Sequence, residues 1–201
     1  LIGDPLKTTL LLKLIAKELE PDAGSIQMGQ TIKVSYIPDD NTSYFEGTQS
    51  ICEWLSQYTD IDDMSFIRGF LGRMLFSGEE PLKPVNVLSG GEKARCMLSK
   101  TMLEGGNLLL MDDPYVQLDI ELRFRLEDEL VKLWQMTKTT VLFITHNIEE
   151  AVYLGNKIMI LTNKPTTVKT TLINELPRPR DIAAPQFIEL RNKVTELIKW
   201  W

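Results

Sequence analysis

Apolar and polar residues follow two alternating spacings along this chain of 201 residues. Short apolar runs predict buried strands, and apolar positions three and four residues apart predict helices with one buried face. We expect strands at 25–28, 32–37, 107–112, 141–145, 157–161 and 166–176. We expect helices at 8–18, 51–58, 65–75, 92–100, 120–136, 149–154 and 186–201. This alternation predicts an α/β fold in which helices flank a parallel sheet.

The most informative local feature is the run Leu88-Ser89-Gly90-Gly91-Glu92, which stands at the start of a predicted helix. Two glycines after a serine allow the backbone to approach an anion closely. The N-terminus of a helix offers unpaired N–H groups and the positive end of its dipole, which suit a phosphate. A serine-capped helix after a glycine turn is the alternative interpretation of this segment alone.

Two of the predicted strands end in polar residues that suit a common site. One ends in Asp112 and Asp113, and another ends on His146, the single histidine of the chain. Because ligands of parallel sheets collect at the carboxyl ends of the strands, these side chains are candidates for a ligand site. An ordinary strand end is the alternative for each of them.

The first residues are similar to the end of a phosphate-binding loop, whose full pattern is G-x-x-x-x-G-K-[ST]. The chain opens with the sequence LIGDPLKTT, in which Lys7 and Thr8 match the end of that pattern. Leu6 replaces the glycine before the lysine, Pro5 removes a backbone N–H donor, and Asp4 adds a negative charge. Because such a loop works by pointing N–H groups inward, we expect weakened affinity for phosphate.

Composition narrows the class of protein. The net charge of −6 and the isoelectric point of about 5.0 argue against non-specific binding of the whole surface to nucleic acid or anionic lipid. No apolar run is long enough for a transmembrane helix and none has the pattern of a secretory signal, so we expect no direct membrane insertion. Cys52 and Cys96 show no metal-ligand spacing, and we expect free thiols in a cytoplasmic protein.

Together these motifs resemble the ATP-binding cassette (ABC) ATPases, a class of P-loop NTPases, over nearly the whole chain. The resemblance implies ATP and Mg²⁺ as cofactors and a head-to-tail pair of cassettes. It implies nucleotide binding by Gly3, Lys7, Thr8, Thr9, Ser89, Gly90 and Gly91. It also implies Mg²⁺ binding by Thr8, Asp39 and Asp112, with Asp113 and His146 as catalytic residues. In such a pair the signature segment of one copy closes on the γ-phosphate held by the other.

The chain departs from the family pattern in three loops. Gly3 precedes Lys7 by four residues rather than six, and Asp39 stands where the family has a glutamine. Asp113 replaces the glutamate that polarises the attacking water, and its side chain is one methylene shorter, so we expect slow hydrolysis. The chain also starts too late to include the strands that precede the loop in the family, so we expect those N-terminal strands to be missing.

Two branches of the family are represented in turn. Residues 1–117 resemble the ABC-F proteins, which are soluble cassettes that act on ribosomes, through segments at 43–47, 54–58, 70–78 and 88–96. Residues 121–201 resemble the ATPase subunits of nitrate, sulfonate or taurine importers, through segments at 126–130, 140–152 and 176–181. A recombinant, a designed sequence or a decayed gene would each produce this succession.

The sequence therefore predicts one ABC ATPase domain at 1–185, with a helical subdomain at about 42–100, and an amphipathic helix at 186–201. We expect the chain to bind and slowly hydrolyse Mg-ATP as a homodimer or heterodimer with a second cassette. The resemblance is compatible with membrane permease subunits or with the ribosome as partners, and with a place in the cytoplasm or at the inner face of the plasma membrane. A scaffold, or a truncated or designed cassette, with little nucleotide binding is the alternative.

Overall fold

A computed structural model describes residues 1–162 and 165–199 of the chain. They divide into two compact units, which we describe separately. The first unit comprises Leu1–Ile26 and Leu142–Trp201, and the second comprises Gln27–Val141. The end of the predicted C-terminal helix, at residues 200–201, lies outside the described residues.

The elements follow the alternation that the sequence predicts. The helices are α1 (Pro5–Ile15), α2 (Ile51–Ser56), α3 (Met64–Arg73), α4 (Gly90–Leu103), α5 (Ile120–Thr137), α6 (Ile148–Leu154) and α7 (Pro185–Ile198). The strands are β1 (Val34–Ile37), β2 (Leu108–Asp112), β3 (Thr140–Ile144), β4 (Lys157–Leu161) and β5 (Val168–Ile173). Short 3₁₀ turns lie at Thr42–Phe45, Glu80–Leu82 and Val85–Val87.

The first unit is built around an antiparallel hairpin of β4 and β5, which pair from Lys157↔Ile173 onward. Ile2 forms a parallel bridge with Ile160, so the first residues of the chain extend this layer. Helices α6 and α7 cover it with their apolar faces. The buried core consists of Ile2, Ala151, Val152, Ile158, Ile160, Phe187 and Val194. Phe187 and Val194 lie seven residues apart, which places both on one face of α7.

Arg180 connects the segment after β5 to the end of helix α6 through hydrogen bonds. This residue is 7% exposed, and its guanidinium donates hydrogen bonds of 3.0, 2.7 and 3.0 Å to the carbonyl oxygens of Val152, Tyr153 and Gly155. These carbonyls belong to the last turn of the helix and the residue after it, which a helix cannot satisfy internally. Burial, and then the charge of Arg178, lower the pKa of Arg180 to about 10.

The second unit contains the parallel pair β1 and β2, with Val34 opposite Leu108 and Ile37 opposite Met111. Strand β3 begins in this unit, where the Thr140 N–H donates to the Asn107 carbonyl at 3.2 Å, and the sheet order is β1-β2-β3. Helices α2, α3 and α4 form a helical layer beside the two strands. Its largest fully buried side chains are Trp54, Ile51, Leu55, Ile67, Leu71, Met97 and Leu98. The predicted α/β fold with a parallel sheet is confirmed, and the proposed domain boundaries stay a prediction.

Three local expectations were wrong. Residues 25–28 form no strand, and three of those four residues are exposed, so a strand there would have buried little apolar surface. Helix α1 begins at Pro5 instead of at residue 8, because Asp4 caps it and proline is favoured in the first turn. Helix α4 likewise begins at Gly90, two residues earlier than expected.

Among the described helices, none combines the length and the apolar character that a membrane crossing requires.

Candidate functional site

The predicted site residues are distributed over the two units. Gly3, Lys7, Thr8, Thr9 and His146 belong to the first unit. The second unit carries Asp39, Ser89, Gly90, Gly91, Asp112 and Asp113. Within the first unit, the backbone of Leu1 pairs with the strand that leads to His146: the Thr145 N–H donates to the Leu1 carbonyl at 3.2 Å. The start of the chain and the histidine therefore lie at neighbouring places in one layer.

The N-terminus of α1 has its backbone donors satisfied internally. Pro5 has no N–H, and the Leu6 N–H donates to the Asp4 carboxylate at 3.1 Å. The N–H groups of Lys7 and Thr8 donate to the Asp4 carbonyl at 3.0 and 3.1 Å. The Asp4 carboxylate thus occupies the positive end of the helix, where a phosphate would otherwise be favoured.

The side chains of the loop are also engaged with neighbours in the first unit. Lys7 Nζ donates to Thr166 Oγ1 at 3.3 Å, in the turn between β4 and β5. Thr8 is fully buried, and its hydroxyl donates to the Asp4 carbonyl at 3.2 Å. A Cβ on Gly3 would lie 3.1 Å from Leu161 Cδ1 and 3.2 Å from Thr8 Cγ2, so this glycine is enclosed by packing. Thr9 is half-buried within α1.

The N-terminus of α4 differs from that of α1 in the state of its donors. Ser89 caps the helix, and its hydroxyl oxygen accepts the Glu92 N–H at 3.3 Å while its carbonyl accepts the Lys93 N–H at 2.9 Å. Among the described residues, no group accepts a hydrogen bond from the N–H of Gly90 or Gly91. Two backbone donors at the positive end of this helix therefore stay available for a ligand.

These two amides lie at a cleft of about 550 Å³ in the second unit. The cleft is lined by Ser89, Gly90, Gly91, Glu92, Arg95, Gln117, Leu118, Asp119 and Leu122. The side chain of Gln117 covers Gly90 so closely that a Cβ there would meet its Oε1 at 2.3 Å. A side chain at position 90 would therefore displace the exposed end of Gln117.

Glu92 folds back over the start of α4. Its Oε2 accepts hydrogen bonds from the N–H and the hydroxyl of Ser89, both at 2.8 Å, and its Oε1 accepts one from Lys83 Nζ at 2.7 Å. Burial of this side chain acts to raise the pKa of Glu92, but the hydrogen bonds from Lys83 and Ser89 prevail and lower it to about 2. The carboxylate at the mouth of the cleft is therefore ionised and paired at neutral pH.

The carboxylates predicted to bind metal end the two paired strands. Asp112 is 2% exposed at the end of β2, and the register Ile37↔Met111 places the exposed Asp39 at the same edge of the sheet. Asp113 follows in the left-handed region, with φ of 49°. No cluster of three or more metal-ligating side chains is found in the part of the chain that the structure describes. Mg²⁺ is often held by one or two carboxylates together with phosphates and water, so this edge retains the donors that such a site uses.

His146 lies in a rigid turn between β3 and α6. The Thr145 hydroxyl donates to the buried Glu150 carboxylate at 2.6 Å and accepts the Asn147 N–H at 2.9 Å. Asn147 caps α6 by accepting from the Glu149 N–H at 2.9 Å, and its Nδ2 donates to Glu150 at 3.2 Å. His146 itself is exposed, so its imidazole is presented from a backbone that its neighbours hold in place.

Sequence reasoning missed several of the residues that shape these sites. The spacing of Ser89 and Glu92 is that of a capping box, and this signal predicts the folded-back carboxylate. The contacts of Lys83 with Glu92 and of Lys7 with Thr166 carry no local sequence signal, because each joins elements that meet only in the folded unit.

Known proteins give three informative comparisons. A family model described as ABC transporter matches residues 7–116. The chain is 41% identical over 194 residues to the uncharacterized ABC transporter ATP-binding protein YkpA of Bacillus subtilis (strain 168), covering 96% of this chain and 34% of that protein. It is 37% identical over 113 residues to the aliphatic sulfonates import ATP-binding protein SsuB of Bacillus cereus, covering 56% and 45%.

A solved structure shares the fold. The ATP-binding cassette MJ0796, in a dimeric post-hydrolysis state bound to ADP and Pi, matches with a TM-score of 0.69 at 18% identity. That match covers 88% of this chain and 84% of the other. The chain spans less than half the length of the two curated relatives, at 34% and 45%.

Proposed function

Because this chain belongs to the ABC transporter family of ATP-binding cassettes, we propose that it completes the ATP site of a second cassette with its signature cleft, while its own phosphate loop stays closed. The signature cleft is the cleft lined by Ser89, Gly90, Gly91 and their neighbours. The observation that carries the proposal is the difference between two helix N-termini. The donors of α1 are spent within the chain, whereas α4 keeps two.

The family implies ATP and Mg²⁺, and the two helix ends fit the phosphates unequally. At α1 the donors are spent and a carboxylate lies at the helix end, so the residues do not fit a triphosphate as they stand. At α4 the free amides of Gly90 and Gly91 and the volume of the cleft fit a phosphate that a partner supplies. In this arrangement Ser89, Gly90 and Gly91 bind in trans.

The other predicted site residues belong to the chain's own nucleotide site in this proposal. Asp39, Asp112 and Thr8 are the candidate Mg²⁺ ligands, and Asp113 and His146 are the candidate catalytic groups. With α1 closed by Asp4, these groups receive little nucleotide, so we expect little hydrolysis by the chain alone. The capped loop is thus a second cause of slow turnover, beside the short side chain of Asp113.

The closed loop is tested by calorimetry with Mg-ATP on two forms of the chain. One is the wild type. The other is a loop-restored copy, which carries Pro5→Gly and Leu6→Gly and has two residues inserted between positions 5 and 6. The insertion places Gly3 six residues before the lysine, as the phosphate-binding pattern requires. We expect no binding by the wild type at millimolar ATP and micromolar binding by the loop-restored copy, lost again on adding Lys7→Ala. Micromolar binding by the wild type, or none by the restored copy, would contradict the proposal.

The signature cleft is tested by pairing. Fluorescently labelled wild type is mixed with unlabelled loop-restored copy, and sedimentation is followed with and without Mg-ATP. We expect ATP-dependent pairing of the labelled chain, and no pairing of the wild type with itself. The matched variant is Gly91→Glu in the labelled chain, which adds an acid to the cleft where the nearest contact to a new Cβ is 3.4 Å. Equal pairing by this variant would show that the cleft does not take part.

Transport is the process that the relatives favour for such a pair. SsuB is named as an import ATP-binding protein, and membrane permease subunits are the partners that we propose for such a pair. Ribosome coupling stays a prediction from the resemblance of residues 1–117. Capture of the chain on membranes that contain a cognate permease, and not on ribosomes, is the outcome that the transport assignment requires.

A further inference from the structure

The same capping box occurs twice in the second unit. At α2, Glu53 Oε2 accepts from the N–H and hydroxyl of Ser50, both at 2.8 Å, and the Glu53 N–H donates to Ser50 Oγ at 3.3 Å. At α4, Glu92 and Ser89 repeat these distances of 2.8, 2.8 and 3.3 Å. The hydrogen bonds of the box are therefore the same at both helix starts.

Lys83 distinguishes the box at α4 from the box at α2. Its Nζ lies 2.7 Å from Glu92 Oε1, and the Glu92 side chain is 11% exposed. Glu53 is exposed and takes part in no ion pair among the described residues. A capping box forms without a lysine, so the box itself does not account for the ion pair at α4. The feature that distinguishes α4 is the cleft that Glu92 lines.

Lys83 approaches from a fixed piece of backbone. Its N–H donates to the Glu80 carbonyl at 3.0 Å, and its carbonyl accepts the Ile51 N–H at 3.0 Å. Both main-chain groups are thus held, one by a 3₁₀ turn and the other by the start of α2. The ammonium is therefore directed at Glu92 from a site that does not depend on α4.

We infer that Lys83 is a positioning residue for the signature serine, acting through Glu92. It holds the carboxylate against the N–H and the hydroxyl of Ser89, so that Ser89 and the amides of Gly90 and Gly91 keep their arrangement at the cleft. It also neutralises a carboxylate that would otherwise repel a phosphate. This inference rests on the proposed function, because it concerns the phosphate that the cleft receives from a second cassette.

The charges around Glu92 support this assignment. Lys83 contacts Glu92 directly. Arg95 also lines the cleft, but its guanidinium lies 3.7 Å from the Glu80 carboxylate and donates to the Leu75 carbonyl at 2.6 Å. Arg95 is thus engaged with other groups. Lys83 is the cation that pairs with Glu92, and the hydrogen bond with Glu92 raises the pKa of Lys83.

The test compares three substitutions in the labelled wild-type chain, paired with the loop-restored copy in Mg-ATP. Lys83→Met removes the ion pair, and we expect pairing to weaken about tenfold, as for the loss of one hydrogen bond to a charged group. Lys83→Arg keeps the charge and restores most of the affinity. Lys93→Met is the matched control, because Lys93 is a cation of α4 whose ammonium lies 5.7 Å from the Phe45 ring. We expect this substitution to leave pairing unchanged.

A second readout needs no nucleotide. The Glu92 carboxyl is titrated by ¹³C NMR with Glu-labelled protein and assigned by Glu92→Gln, and Lys83→Met moves its titration toward that of an ordinary glutamate. If neither pairing nor this titration responds to Lys83→Met, the inference is wrong. If the titration responds but pairing does not, the contact exists and its role in the cleft is refuted. If even the wild type fails to pair while the titration responds, the proposed function fails, and the role of Lys83 in pairing fails with it.

Discussion

Protonation of Glu92 is predicted to remove a measurable part of the stability of the second unit. The carboxylate accepts hydrogen bonds from Lys83 Nζ and from the N–H and hydroxyl of Ser89. These favour the ionised form and outweigh burial, so the pKa is about 2 in the folded chain against an ordinary value of 4.5. Each pKa unit of such a difference corresponds to about 1.4 kcal/mol.

The direction of the effect follows from proton linkage. The folded chain binds a proton at Glu92 less readily than the unfolded chain, so its stabilisation is fully present above pH 4.5. It is lost as the pH falls from 4.5 to about 2. The full difference amounts to about 3 kcal/mol at neutral pH. The Glu92 side chain is 11% exposed but Lys83 is 47% exposed, so solvent screening of the ion pair brings the expected effect to about 1–2 kcal/mol.

Urea unfolding at a series of pH values measures the effect in the wild type and in Glu92→Gln. We expect the wild type to be more stable at neutral pH and the two curves to converge at low pH. Glu53→Gln is the matched control, because it alters the same capping box in an exposed place without the lysine, and its curve follows the wild type more closely. Parallel curves for the wild type and Glu92→Gln would refute the ion-pair reasoning.

Three further substitutions or reactions test the packing of the units. Arg180→Met removes three hydrogen bonds to carbonyls at the α6 end, which keep Asn174 and Arg178 as donors, and we expect a loss of about 1–3 kcal/mol in unfolding free energy by urea titration. Cys96 is fully buried, and burial raises its pKa, so a disulfide reagent at mildly alkaline pH reacts with it only after unfolding; rapid reaction of the folded chain contradicts this. Gly106→Ala places a Cβ 2.4 Å from Ser35 Oγ and destabilises by about 1–3 kcal/mol, whereas Gly69→Ala meets nothing within 4 Å in α3 and stabilises by about 0.5–1 kcal/mol; thermal unfolding of both variants decides.

The fold follows from the sequence wherever an apolar period is bounded by a cap. Helix α5 is expected at 120–136 and runs from Ile120 to Thr137, since Asp119 caps its start. Strand β4 matches the predicted 157–161, because its apolar run is short and buried. The predicted strand at 25–28 failed because a short run with one or two apolar residues gives no reliable period. Tertiary packing decides such segments.

The family of the chain is confirmed, but only some of the expectations drawn from the family resemblance are. The ABC family is confirmed by the match at residues 7–116. The likeness of part of the chain to sulfonate import ATPases is confirmed by SsuB. The relative YkpA aligns with 96% of the chain. Similarity to one protein therefore continues across residues 117–121, where the resemblance passes from ABC-F proteins to importer ATPases. The roles of individual site residues stay predictions.

The members of the candidate site stay predictions, and the sequence indicates the state of the loop that carries Lys7 only in part. Pro5 and Leu6 predict a weak phosphate loop from sequence, because one lacks a donor and the other replaces a glycine. The cap by Asp4 was missed, although an aspartate before a proline is an ordinary helix-start signal. The phosphate-binding pattern concerns only the glycine and the N–H donor that this loop lacks. The closed state of the loop comes from Asp4, which the pattern does not include.

The contrast between α1 and α4 is a consequence of how a helix start distributes its unpaired donors. Each start leaves N–H groups that must find acceptors, and a side chain, a backbone carbonyl or a ligand serves equally. At α1 the N–H groups of Leu6, Lys7 and Thr8 donate to Asp4, and Pro5 has none, so the first turn of this helix keeps no unpaired donor for an anion. At α4 Ser89 accepts the N–H groups of Glu92 and Lys93, and the N–H groups of Gly90 and Gly91 have no acceptor among the described residues. Capping chemistry is therefore the reason why the proposed function places the phosphate at the start of α4 and not at the start of α1.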